Sequence, residues 1–270
     1  MKKPYSFLFL FFLLSCRYAS AQEDSSFTLV RTYTGDIADA AVDNLNNLYI
    51  VSSVGQIKKF TPVGDSVVSD NIKRYGKLYS LDATNPLKLL LFYKDFSTII
   101  ILDRFMANIA TIDLKRMNIL QPDAIGLSYD NNIWVYDEYD GKLKKIDEQG
   151  NQLLETPDFR NLFNLSIAPQ RIINDNGFVY IADTANGVFV FDNYGSFKKK
   201  IPLVSWQNIA INNNKVITFN KEIITVFNTS TLMQTQQKAP FFRPYIHSFT
   251  TANKFVTFST DMLHVYQYRF

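Results

Sequence analysis

Two series of marks run through this sequence in step, and together they leave few folds open. The first is a bulky residue that closes a short apolar stretch before a polar turn. It recurs as Phe60 after QIKK, Leu102 after TIII, Ile146 after KLKK, Phe191 after VFV, Phe227 after IITV and Tyr266 after LHV. Successive marks lie 42, 44, 45, 36 and 39 residues apart. The second series is an Asn-rich turn ahead of an apolar run. It runs Asn46-Asn47 before LYIV, Asn131-Asn132 before IWVY, Asn176-Gly177 before FVYIA, Asn213-Asn214 before KVITF and Asn253-Lys254 before FVTF. One unit departs, with Asn85-Pro86 before LKLLLF, which is still turn chemistry. Asn and Gly reach the positive φ of tight hairpins, and the flanking runs are rich in β-branched and aromatic residues. A period near 40 that carries four short strands is the spacing of propeller blades.

The predicted fold is therefore all-β: a six-bladed β-propeller of four-stranded blades. The blades fall at about residues 36–70, 78–117, 122–156, 169–203, 206–237 and 244–270, in one domain over 22–270. The unit at 169–201 is the clearest copy. The last unit stops at the end of its third strand, whereas Phe27–Thr34 (FTLVRTYT) has no hairpin partner of its own. Pairing the two closes the last blade with the N-terminal strand and removes an exposed edge. Second and third strands are apolar on nearly every position, as expected when both faces meet neighbouring blades. The insert 157–168, containing DFRNLFNL, is expected to form a short helical turn on the surface.

The first 21 residues read as an export signal. Lys2 and Lys3 precede an apolar run, Phe7–Leu14, and Ala19-Ser20-Ala21 supplies small residues before Gln22. Leu13-Leu14-Ser15-Cys16 also resembles a bacterial lipobox, so Cys16 is a candidate for lipidation. The expected location is the periplasm, the outer membrane surface or the medium. Membrane contact would come only through an N-terminal lipid. Cys16 is the single cysteine, so no disulfide within one chain is possible. The net charge of +3 resides in Lys2, Lys3 and Arg17 of the signal, and the remainder is neutral. Nothing in that balance suits nucleic acid. The sequons at Asn164 and Asn228 are incidental in a bacterial-type chain.

The stretch DTANGVFVFDNYG at 183–195 resembles the NHL-type repeat, as do DEYDGKLKKIDEQG at 137–150 and the unit at 40–65. The likeness covers about three of six units and implies a six-bladed propeller without implying an activity. The NHL-like lyases use histidine-bound zinc, whereas this chain has only His247 and His264. Six-bladed lactonases of the gluconolactonase kind imply Glu, Asp and Asn around a divalent cation. Asp39, Asp123, Asn208 and Asp183 are the residues that would have to converge for that alternative.

In a propeller, the loops that lead into the innermost strands and those between second and third strands gather on one face, here called the top. The residues they place there are Asp39, Asp82, Asp123, Asp137, Arg171, Asp183, Trp206 and His247. Such a face suits a basic peptide, a sugar or a cation such as calcium. Equally, Asp is the usual residue of tight turns, where it caps its own backbone. Arg171 stands out, because other blades place small or acidic residues there. Trp206 is the first choice for a ligand contact, and Pro240–Tyr245 reads as packing between blades. No nucleophile elbow is present. The expectation is a monomeric, non-catalytic module with a protein or peptide partner and no resident cofactor. The alternative is a divalent-cation-dependent hydrolase or lactonase.

Overall fold

A computed structural model describes residues 27–64, 66–71, 74–238, 247–251 and 254–268. The signal segment with Cys16 and the Pro240–Tyr245 stretch lie outside the described residues. The chain forms six antiparallel sheets of four strands each. The innermost strands are Asp39–Val42, Ser80–Asn85, Pro122–Leu127, Arg171–Asp175, Asn208–Asn212 and His247–Thr250. In the sixth sheet the N-terminal strand Phe27–Thr34 lies outermost, against Met262–Tyr268. The ring is thus closed by the two ends of the chain, as the orphan strand predicted.

Six apolar cores follow from this arrangement, one at each junction between neighbouring blades. Period-two alternation divides each second strand between two of them. Ile133 and Val135 enter the core shared with blade 2, while Trp134 and Tyr136 enter the core shared with blade 4. The same rule sends Tyr180 and Ala182 to blade 5, and Val179 and Ile181 to blade 3. The core between blades 6 and 1 joins Val256, Phe258 and Leu263 to Ile37, Ala40, Leu48 and Ile50. The central strands of blades 2, 3 and 4 are buried on nearly every position, which explains their apolar runs.

The insert goes beyond expectation. It does form a helix, Phe159–Phe163, with the Asp158 carboxylate accepting from the Arg160 N–H. The helix lies at the surface, with Leu162 exposed, but it drives Phe159 fully into the junction of blades 3 and 4. The Phe159 ring stacks on Phe191 at 5.0 Å, and Phe163 meets Phe189 at 5.0 Å. The insert is an aromatic plug.

Turns on the bottom face repeat one device. Asp43, Asp103, Asp147 and Asp192 each accept two backbone N–H groups on a single oxygen, from the residues two and four positions on, at 2.8–2.9 Å. The Asn-rich turns supply positive φ at Asn46, Asn131, Asn176, Asn213 and Asn214. Lysines then link neighbouring blades across the same face. Lys59 donates to the Arg104 carbonyl at 3.0 Å, and Lys199 to the Thr229 carbonyl at 2.6 Å. Lys88 bonds the Asn131 carbonyl and pairs with Glu148 at 2.8 Å. Lys59 and Lys88 are buried, and in all three the ammonium reaches a carbonyl or carboxylate, so each is satisfied.

The inner strands of blades 3 and 4 approach most closely. A Cβ on Gly126 would lie 2.2 Å from the Ile172 carbonyl oxygen. Backbone cannot yield as a side chain tip does, so Gly126→Ala is expected to push the strands apart. A loss of about 1–3 kcal/mol in unfolding free energy follows, the usual scale of overpacking. A urea titration showing no change in midpoint would contradict the close approach.

Candidate functional site

The register of the sheets defines a ring at the top of the central channel. The first aligned pairs of the innermost strands are Asp39 with Val51, Ser80 with Phe92, Arg171 with Ala182, Asn208 with Phe219 and His247 with Phe258. In blade 3 the equivalent pair is Ala124 with Tyr136, and a bulge there inserts Asp123 beside it. A cavity of about 180 Å³ runs down this axis, bordered by residues from all six innermost strands. Asp39, Ser80, Asp82, Arg171 and Asn208 are among its lining side chains.

The carboxylates placed here by sequence divide sharply by what they bond. Asp82 joins two blades: one oxygen accepts from the Thr84 N–H at 2.9 Å and the other from the Leu127 N–H at 2.7 Å. Asp123 is buried and accepts from Lys94 at 2.7 Å, while its second oxygen has no hydrogen-bond partner among the described residues. Burial alone would depress the Lys94 pKa, but its bond to Asp123 and the surrounding negative charges hold it above the ordinary value. The same ammonium sits 5.0 Å from the Tyr79 ring centre.

Asp137, Asp183 and Trp206 were expected on the exposed face, and the structure corrects that. Asp137 is fully buried, accepting from the Leu120 N–H, the Gln121 N–H and Lys144 at 3.2, 2.9 and 2.8 Å. Asp183 accepts from the Ala168, Ala185 and Asn186 backbone N–H groups and the Asn186 side chain. Both are internal turn caps, because the polypeptide curls around each carboxylate and fills its lone pairs. Trp206 is 8% exposed and packs in the core between blades 4 and 5, so its ring is not a surface contact. His247 does lie exposed, stacked on Phe258 at 4.9 Å.

The lactonase set is dispersed in the same way. Asp123 is ion-paired and Asp183 is capped, as described, while Asn208 turns its carbonyl oxygen to the Ile209 N–H at 2.9 Å. Among the described residues, no three His, Cys, Asp or Glu side chains gather into a metal-holding group.

Two features of the top face remain. The Arg171 side chain lines the channel with no hydrogen bond or ion pair among the described residues. The second is a cleft of about 380 Å³ between blades 3 and 4, bordered by Gln121, Tyr136, Glu138, Tyr139, Arg160 and Ile167. Tyr139 stands at its rim, 62% exposed. Arg160 is fixed there by Asp158, at 2.9 Å from Nε to the carboxylate, and by the Asp140 carbonyl at 2.8 Å. The cleft is not legible in the sequence, since Arg160 arrives from the insert.

No protein-family model matches this sequence, and no curated protein sequence does. Solved structures show its class to be the β-propeller. The chain is similar to the Pan2 WD40 domain of Neurospora crassa, at 11% identity over 90% of this chain and 96% of that one, with a TM-score of 0.65. It is similar also to BBS1N, solved in complex with ARL6DN, at 10% identity, 91% and 98% coverage and a TM-score of 0.60. Virginiamycin B lyase from Staphylococcus aureus gives 15% identity, 90% and 89% coverage and a TM-score of 0.59. At such identities the likeness is one of fold alone.

Proposed function

We propose that this chain is an exported, non-catalytic propeller that docks a protein or peptide partner on its top face. The observation that carries this reading is the cleft between blades 3 and 4. An exposed tyrosine beside a fixed arginine, over a partly apolar floor, is the composition of an interaction hot spot. The cleft supports an extended peptide segment as occupant, with Tyr139 packing on it and Glu138 and Arg160 meeting its polar groups. The BBS1N propeller, in its complex with ARL6DN, is a fold-level precedent for partner binding and no more than that. The carboxylates of the face do not supply a convergent acid and base, because most already bond the chain itself.

The export signal read from Lys2 to Ala21 supports an envelope or extracellular setting, with either cleavage before Gln22 or lipidation at Cys16. Strand Phe27–Thr34 begins beside Tyr268, at the end away from the top loops. A tether running back from Phe27 would therefore leave the top face open to a partner.

The test is a photo-crosslinking amino acid placed at position 139, and separately at position 194 on the bottom face, in cells of the native host. A discrete crosslinked partner at 139 and none at 194 supports the reading. Equal capture at both positions, or none at 139, overturns it.

A further inference from the structure

The proposed docking cleft leaves the central channel unused, and its mouth has a polarity of its own. In a ring of six blades, blade 1 stands opposite blade 4. Asp39 and Arg171 hold the same register position on those two blades. They are thus opposed across the channel, and no ion pair joins them to each other or to any other described residue. Asp39 gives one oxygen to the Ala40 N–H at 2.8 Å and keeps the other without a partner among the described residues. Every other charged side chain lining the cavity is tied within the protein: Asp82 is held by Thr84 and Leu127. Just below the mouth the cavity is bordered by Leu81, Ile172 and Ile209, one register step above the held Asp82.

We propose that the top of the channel binds a small zwitterion: an apolar α-amino acid or a dipeptide with both ends free. The carboxylate meets the Arg171 guanidinium, whose planar fork matches a carboxylate with two parallel hydrogen bonds. The ammonium meets Asp39 on the opposite blade, and the apolar side chain points down the channel. Size supports the class. The cavity of about 180 Å³ is smaller than the roughly 300–1,000 Å³ that drug-sized ligands occupy. Opposed charges also favour such a ligand over a simple anion, which Asp39 repels, and over a simple cation, which Arg171 repels. This inference uses the channel and not the cleft, so it stands or falls separately from partner docking.

Isothermal titration calorimetry on the purified chain tests it, with L-leucine and Leu-Leu as probes and N-acetyl-L-leucine and L-leucinamide as their blocked forms. The expected result is binding of an unblocked probe that weakens about tenfold or more when either end is blocked, a loss of about 1.4 kcal/mol or more. Arg171→Met and Asp39→Asn each give the same loss with the unblocked probe. N-acetyl-L-leucine binds Asp39→Asn at least as well as the wild type, because the group that Asp39 meets is gone and only its repulsion of the carboxylate is removed. Both residues are half-buried at the channel mouth, and unchanged melting temperatures confirm that the variants fold. Absence of heat from both unblocked probes at millimolar concentration overturns the proposal. So does binding indifferent to Arg171→Met. Dependence on Arg171 without dependence on Asp39 also overturns it, in favour of a plain carboxylate site.

Discussion

Replacing Lys144 with methionine is expected to lower the unfolding free energy by about 3–5 kcal/mol, the scale of an uncompensated buried charge. Lys144 is 2% exposed, and its ammonium pairs with Asp137 at 2.8 Å and with Asp140. Burial pulls its pKa down, yet the bonds from the two carboxylates outweigh this and hold it above the ordinary lysine value. Methionine keeps most of the stem volume and removes only the charge. Asp137, with no exposed surface, is then left a buried anion held by two backbone N–H groups. The contrast is Lys142, whose pair with Glu155 at 2.7 Å lies in partial contact with solvent. Lys142→Met is expected to cost less than about 1 kcal/mol. The double variant Asp137→Asn with Lys144→Met is expected to recover part of the loss, since the buried charge is gone, while the single amide oxygen can keep only one of the two N–H groups that reach separate carboxylate oxygens. Urea midpoints at constant slope measure all three. A single-variant loss below about 1 kcal/mol would mean that water reaches Asp137.

That triad shows where a sequence stops being legible. The blades were readable because each second strand is buried at most of its positions, so the apolar run and its Asn turn recur whatever the rest of the blade does. The closing strand was readable by arithmetic: one unit lacked a strand and one strand lacked a unit. Charges are a different matter. Lys58-Lys59 and Lys144-Lys145 look like solvated pairs, and of these only Lys58 is exposed. Lys145 reaches Asp130 at 2.7 Å and lies 4.8 Å from the Trp134 ring centre. Burial raises the Asp130 pKa, but the bonds from Lys145, Ser128 and Asn132 prevail and lower it to about 2. Nothing local in KLKKI distinguishes such a lysine from a free one, because its partner lies across a turn.

The same limit applies to the top face. Asp39, Asp123, Asp137 and Asp183 look alike in sequence, each near the end of a strand. What separates them is the number of N–H groups around each carboxylate, which only the path of the neighbouring loop decides. Four donors close on Asp183, one backbone donor reaches Asp39, and a lysine from the adjacent blade reaches Asp123. Trp206 failed for a related reason. The loop that carries it leads to the top face, yet its ring turns back into the apolar junction of blades 4 and 5. Arg171 was readable because it broke the pattern of its siblings, and the structure leaves it without a partner among the described residues.

The largest effect is expected from removing residues 1–34. Phe27 is 8% exposed and sits 5.3 Å from Phe255, edge to face, beside Tyr268. Tyr33 reaches the other way, to Phe60 of blade 1 at 4.9 Å. One strand therefore completes the last blade and touches the first, so its loss opens the ring at its only chemical seam. It also strips the backbone partners from Met262–Tyr268, leaving a central strand as an exposed edge. The shortened chain is expected to lose its cooperative thermal transition and to aggregate, whereas Phe27→Ala alone should cost about 3–5 kcal/mol, as for other buried phenylalanines. Adding the peptide FTLVRTYT in excess should restore a cooperative transition, because a ligand that binds only the folded state stabilises it, by an amount that grows with the logarithm of its concentration. Pairing of Phe27 with Tyr268 and of Thr34 with Met262 fixes the peptide's register. A reversed peptide of the same composition should then fail to rescue, which separates strand completion from general apolar adhesion. A shortened chain that melts at the temperature of the intact one would show that the blades hold together without their closing strand.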